Sequence, residues 1–224
     1  MLLAISGANR SFGCGAGYGS FKAIDVIMDS TLSLEQLKKG NKIILSRFLA
    51  QMEAYVSRNN CLGPFAETLD ECARETSGHI VGFTGPPGVG KSTITGKLLQ
   101  RWRDQGHTVA VVAIDPSSKS SGGALLGDRM RMRTDPSDQG VIVRSLAARD
   151  RLGGLSDFAL LAILVLSACF DVVLVETVGV GQSETEIMHV AGTVVLLVQP
   201  GSGDSLQYMK AGIVEVPDIC AVTK

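Results

Sequence analysis

No run of this sequence is apolar for long enough to cross a bilayer. The longest, residues 158–170, falls short of the roughly 20 residues that a spanning helix needs, and Asp171 ends it. It reads as a buried helix, and no membrane partner is expected. A basic excess is also missing. Lys and Arg number 21 against 22 Asp and Glu, for a net charge of −1. The chain therefore lacks the positive surplus that neutralises nucleic-acid phosphates, and no nucleic-acid partner is expected. The five cysteines (Cys14, Cys61, Cys72, Cys169, Cys220) are odd in number and scattered, with no CxxC pair. That excludes a disulfide framework and suits a reduced intracellular compartment, with thiols packed as small apolar residues. The opening "MLLAISGANRSFGCGAGYGSF" has no charged region ahead of its apolar residues, so it makes a poor secretory signal. Its lack of acids is a transit-peptide feature, but Arg10 and Lys22 are too few bases to identify one.

What is present is ample core material. The chain has 224 residues, 45% of them hydrophobic, which suits one sizeable α/β domain with an appendage. Residues 1–30 are glycine-rich and irregular. Their "GCGAGYG" has the look of a phosphate loop, but no strand leads into it. Residues 31–77 form a helical appendage. Leu34, Leu37, Ile43, Ile44, Phe48 and Met52 share apolar faces across a break at Gly40-Asn41, and a second helix is expected over 65–75. From 78 to 224 short runs rich in valine and isoleucine alternate with helical stretches. The runs are 80–84, 109–114, 141–143, 172–175, 194–198 and 219–222. Continuous apolar strands imply a mainly parallel sheet covered on both faces, an α/β/α sandwich of three layers. Ligands of such sheets sit at the carboxyl ends of the strands.

Directly after the first run stands "GPPGVGKST", which fits G-x-x-x-x-G-K-[ST] with Gly85, Gly90, Lys91 and Ser92. The glycines Gly85, Gly88 and Gly90 let the backbone curl until successive N–H groups point at one anion, while Pro86 and Pro87 stiffen it around Val89. A helix starting near Lys91 adds its positive end. The Lys91 ammonium reaches β- and γ-phosphates, the Ser92 hydroxyl suits Mg²⁺, and Thr93 supports the α-phosphate side. The loop is read as holding a nucleoside triphosphate with magnesium.

Other acids follow other strands. Asp115 ends the second run, and Asp128 follows a loop rich in serine and glycine. Both are candidates to orient magnesium, its waters or the attacking water. A turn cap is the competing reading for Asp115, and a solvated surface acid for Asp128. Arg129, Arg131 and Arg133 alternate with methionines and fit either a phosphate or partner contact or a solvated face. Glu176-x-x-Gly179 stands where nucleotide hydrolases often carry D-x-x-G: the acid holds magnesium through water, and the Gly179 N–H senses the γ-phosphate. Val180 follows where some GTPases place a glutamine that orients water. Slow intrinsic turnover is expected, with Gln182 as a possible substitute. Gln207 and Lys210 lie on a helix behind the glycines Gly201 and Gly203; an exposed helix face is the alternative there.

In this order, "GFTGPPGVGKST", "AIDPSS…SGGALLGDRMRM", "SLAARDRLGGLS", "VETVGVGQSE" and "QPGSGDSLQYMKAGIVEVPDI" resemble the MeaB/ArgK family of P-loop GTPases over residues 79–224. The methylmalonic aciduria type A protein is of that family, and "LEQLKKGNKIILSRFLAQME" looks like its N-terminal helical region. The resemblance implies a G-protein chaperone of adenosylcobalamin-dependent methylmalonyl-CoA mutase, or of a related cobalamin-dependent mutase. Such a protein hydrolyses GTP, with Mg²⁺, to gate cofactor loading and to protect or reactivate the mutase. Lys91, Ser92, Asp115, Asp128 and Glu176 then match magnesium and hydrolysis positions. Lys224 falls at the base end, and residues 201–210, with Gln207 and Lys210, match a partner-responsive switch. Full-length members are implied to be homodimers, cytoplasmic in bacteria and in the mitochondrial matrix of eukaryotes.

Two departures and three other readings stand beside this. Residues 1–30 look unlike the family. In "ICAVTK", Thr223 stands where the family's N-K-x-D has asparagine, and the base-pairing acid is not in the sequence. Weak nucleotide binding is the expectation from that end, and the last strand, if exposed at an edge, is an aggregation hazard. A metal-delivery maturation GTPase wants clustered Cys and His, whereas His79, His107 and His189 stand apart. A P-loop small-molecule kinase or ATPase, the older amino-acid transport reading, wants an acceptor pocket and catalytic arginines. A non-enzymatic remnant is the last.

Overall fold

The computed structural model describes residues 32–116, 134–148, 157–177, 189–200 and 217–223, the side chains at 115, 116, 147, 148 and 157 excepted. Asp128, Gly179, Gln207, Lys210 and Lys224 lie outside the described residues, as do the glycine-rich first 30 and the three arginines after Asp128. The chain divides into two compact units, Met1–Thr76 and Ser77–Lys224.

In the first unit, helix α1 (Leu34–Lys39) starts at a capping box. The Ser33 hydroxyl accepts from the Gln36 N–H, and the Gln36 side chain accepts from the Ser33 N–H. The chain turns at Gly40, and Asn41 caps α2 (Lys42–Asn59) by accepting from the Ile43 and Ile44 N–H groups at 3.1 Å each. The break therefore falls at the Gly40-Asn41 pair. A 3₁₀ turn (Gly63–Phe65) leads into α3 (Ala66–Glu75). Phe48, Leu49, Met52 and Phe65 are fully buried, and the Phe65 ring sits edge-on to Phe48 at 5.4 Å and to Tyr55 at 5.7 Å. These edge-on rings pack with the buried Leu34, Leu37, Leu45, Leu69 and Cys72 to form the unit's core.

The second unit is a parallel α/β fold. Its strands are β1 (His79–Thr84), β2 (Val109–Pro116), β3 (Val141–Ala148), β4 (Val172–Thr177), β5 (Thr193–Val198) and β6 (Ile219–Val222). They form one sheet in the order β3-β2-β4-β1-β5-β6, with every pair parallel. Helix α4 (Lys91–Asp104) links β1 to β2, and α5 (Asp157–Cys169) lies between β3 and β4. The first crossover runs toward β3 and the second away from it. Right-handed connections then place the two helices on opposite faces. On the α4 face Val81, Phe83, Val109, Val111, Val141, Val172, Leu174 and Leu197 pack with Leu99, joined by Ile94, Leu98 and Trp102.

The strands are longer than their apolar runs. β3 continues past Val143 to Ala148, and β2 past Ile114 to Pro116, because the two pair residue for residue to their ends. Asp115 is thus inside β2, opposite Ala147, rather than just beyond the strand. Among the described residues β6 is the outer strand on the far side, with Ile219 50% and Val222 69% exposed.

Candidate functional site

β1 ends at the buried Thr84, and the chain then curls through residues 85–90 before α4 begins at Lys91. Gly85, Gly88 and Gly90 have φ of +140°, +75° and +105°. These are left-handed backbone values that side chains disfavour. At Gly85 a Cβ would also strike the Leu197 carbonyl of β5. This glycine lets the loop lie directly against the neighbouring strand. Pro86 and Val89 are buried, while Pro87 and Gly88 face solvent. The Val89 side chain is part of the sheet core, its N–H donates to the Pro86 carbonyl at 3.3 Å, and its carbonyl accepts from the Thr223 hydroxyl at 2.6 Å.

Lys91 begins α4, yet its side chain is only 6% exposed. The ammonium donates to the Gly85 carbonyl, and to the Pro86 carbonyl at 3.0 Å, so it lies along the loop it follows. Around it the first N–H groups of α4 have no acceptor inside the helix, which leaves a positive end there. A buried cation, a helix start and a left-handed loop together make a nest for a polyphosphate. Thr93, on the first turn, is exposed.

The acid beside this nest is Glu176. It is 9% exposed near the end of β4, held in register with Phe83 of β1 and Ala113 of β2. One carboxylate oxygen accepts from the Ser92 hydroxyl at 2.6 Å. The glutamate side chain is long enough to bring its carboxylate onto the serine. At the next residue the Thr177 hydroxyl donates to the Phe83 carbonyl at 3.3 Å, tying the ends of β4 and β1. Position 115 lies two residues beyond Ala113, whose register partner is Glu176, so the backbone brings Asp115 to the same end of the sheet.

Ser92 and Glu176 fit magnesium by donor chemistry. A hydroxyl and a carboxylate are hard oxygen donors. Magnesium usually keeps several waters and takes few protein ligands beside substrate phosphates. Among the described residues there is no group of three or more His, Cys, Asp or Glu that would cage a metal by itself.

Sequence reasoning missed Thr223 as a member of this site and treated it only as a departure from an expected asparagine. A lone threonine after an apolar run carries no spacing signal. Its link to Val89 spans 134 residues and exists only once β6 is docked.

Known proteins share this fold and sequence. A crystal structure of LAO/AO transport system kinase superposes with a TM-score of 0.54 at 23% identity, covering 91% of this chain and 70% of that one. The hydrogenase maturation factor HypB of Archaeoglobus fulgidus gives a TM-score of 0.50 at 20% identity, covering 70% and 71%. Both establish the fold as the P-loop α/β type. GTPase ArgK of Escherichia coli is 37% identical over 206 residues, 89% of this chain and 61% of its own length. A Pyrococcus horikoshii protein whose name carries the word GTPase is 46% identical over 193 residues, 85% of this chain and 59% of its own. The mouse methylmalonic aciduria type A homolog, named as mitochondrial, is 43% identical over 148 residues, 64% of this chain and 35% of its own. The chain thus spans about three fifths of the length of the first two relatives. Residues 45–224 match the family described as methylmalonyl Co-A mutase-associated GTPase MeaB, and the chain belongs to that family.

Proposed function

We propose that this chain binds GTP with magnesium, hydrolyses it to GDP and phosphate, and through that cycle assists an adenosylcobalamin-dependent mutase of the methylmalonyl-CoA type. The family's description and the mouse relative's name support the mutase link. The observation that carries the hydrolase reading is the Ser92–Glu176 contact at 2.6 Å beside the buried Lys91.

The residues divide the work by position. The backbone of 85–90 and the start of α4 hold phosphate oxygens. Lys91, already aligned along the loop, supplies a fixed positive charge that stabilises negative charge developing on the transferred phosphoryl group. Ser92 and Glu176 are the residues that would hold magnesium, with Asp115 and Asp128 as further acids for its waters or the attacking water. Bound there, the ion would neutralise phosphate charge. Gly179 would report the γ-phosphate, while Gln207 and Lys210 would answer to the partner. Lys224 and Thr93 complete the proposed nucleotide contacts.

The test is phosphate release from GTP by the 224-residue chain with magnesium, with and without the mutase. Release that rises with the mutase and falls at least roughly 100-fold in Lys91→Ala and Glu176→Gln supports the proposal. Release unaltered in Lys91→Ala overturns the hydrolase reading. Phosphate transferred to a small acceptor instead of water would favour a kinase, and indifference to the mutase would remove the partner.

A further inference from the structure

One buried hydroxyl close to the site has nothing to bond. Thr95, on α4, is 0% exposed, and among the described residues its hydroxyl has no hydrogen-bond partner. Burying a hydroxyl without a partner is costly, and threonine is a weaker helix former than leucine. Packing alone would favour an aliphatic side chain at this position.

Its place follows from the packing below it. α4 returns the chain from β1 to the parallel β2, so it runs against the strand direction, and it lies on β4 and β2. Lys91, Thr95 and Leu99 are its buried residues, four apart on the side that faces the sheet. On β4, Val172 and Leu174 belong to the cluster packed with Leu99, and Glu176, two residues further, shares their face. From Leu99 back to Thr95 the helix climbs about 6 Å. From Leu174 on to Glu176 the strand climbs about 6.6 Å in the same direction. Thr95 is thus carried to the level of Glu176. The Ser92–Glu176 bond at 2.6 Å leads to the same place, because Ser92 and Thr95, three apart, are neighbours on the helix surface. Two hydroxyls of α4 therefore stand beside Glu176, and Thr95 is the one with nothing to bond.

We infer that Thr95 is a positioning residue for Glu176: its hydroxyl donates to that carboxylate when Ser92 turns its oxygen to a bound magnesium ion. A carboxylate can accept several hydrogen bonds, so Glu176 takes the new donor and still faces the ion. The inference deepens the reading of Ser92 and Glu176 as the metal residues and rests on it.

The experiment has two readouts on the full chain. One is the affinity for Mn²⁺, a paramagnetic stand-in for magnesium, in the presence of GDP, followed by electron paramagnetic resonance. The other is the melting temperature without metal or nucleotide. Thr95→Val keeps the shape and removes the hydroxyl. It is expected to weaken Mn²⁺ binding about tenfold, as for one lost hydrogen bond to a charged group. The metal-free melting temperature is expected to hold or rise, because the hydroxyl is unpaired in that state. Thr95→Ser is expected to keep the parent's Mn²⁺ affinity. A threonine that only packs the helix would show the reverse pattern. Mn²⁺ affinity within twofold of the parent in Thr95→Val, or a lowered metal-free melting temperature there, overturns the inference. Thr95→Cys, whose thiol donates weakly, is the second variant: its Mn²⁺ affinity is expected to fall as well, and equality with Thr95→Ser overturns the inference. Ser92→Ala and Glu176→Gln separate this from the underlying reading. If Mn²⁺ binding survives both, the metal reading itself falls; if both lose it while Thr95→Val does not, only the role of Thr95 falls.

Discussion

Gly85 has two independent reasons to be glycine: φ of +140°, and a backbone carbonyl from Leu197 where a Cβ would lie. A flexible side chain can move aside, but a carbonyl in the middle of a sheet cannot. Gly85→Ala is therefore expected to cost about 2–3 kcal/mol of stability, read as a lowered denaturant midpoint, and to weaken polyphosphate binding with it. Gly88→Ala, where nothing lies within 4 Å, meets only the backbone penalty and should cost about 1 kcal/mol. At this scale the sequence was informative about residue types. G-x-x-x-x-G-K-S named the loop, its lysine and its serine, because each glycine answers a local backbone need. It could not pair Ser92 with Glu176, which are 84 positions apart, or Thr223 with Val89. Contacts of that range belong to the sheet and leave no periodicity behind.

Strands and helices were legible wherever burial was uniform. Valine and isoleucine runs marked six strands, since both faces of a parallel sheet are covered. Their ends were harder to place. His79 and Thr193 start β1 and β5 with polar side chains that meet each other, imidazole to hydroxyl at 2.9 Å. β3 extends through Arg144 and Ser145, which interrupt its apolar pattern, because β2 offers a hydrogen-bonding partner throughout. The opposite rim of the sheet is stapled by polar groups. The Asp171 carboxylate accepts from the Thr108 N–H at 2.7 Å and from its hydroxyl at 2.8 Å, and the Asp171 N–H donates back to that hydroxyl at 2.9 Å. The backbone donor first, then the hydroxyl, holds the Asp171 carboxyl below the usual carboxylate range, with His107 and Arg103 assisting. The folded state then binds fewer protons than the unfolded one near pH 4, so stability rises with pH there. The contribution is complete above the ordinary Asp value of about 3.9 and is lost as pH falls through the lowered one. Asp171→Asn removes that contribution, so it should lower the melting temperature in the neutral region, leave the strongly acid end nearly unchanged and thereby flatten the acid limb of the profile.

Across the whole unit the two edges of the sheet differ. β3 and β2 pair over eight positions, whereas β6 has four residues and presents Ile219 and Val222 to solvent. An open apolar outer strand is a template for association with another chain. Ile219→Thr with Val222→Lys is expected to slow aggregation of the concentrated protein, followed by light scattering, with stability changed by no more than about 0.5 kcal/mol. Unchanged aggregation would place the association elsewhere. The overall architecture was readable because strand-helix alternation admits few parallel topologies. The exposure of the last strand was not, since its apolar run looks the same as those of the covered strands.

Among the described strands the central one is also the earliest in the sequence. β1 is bracketed by β4, where Phe83 faces Glu176, and by β5, where Thr84 faces Leu196. During synthesis, then, the piece that carries the glycine turn leaves the ribosome long before either flank exists. The nascent polypeptide must keep that strand from mispairing until position 198 has emerged. The proposed nucleotide would have a complete site to grip only in the last steps of assembly.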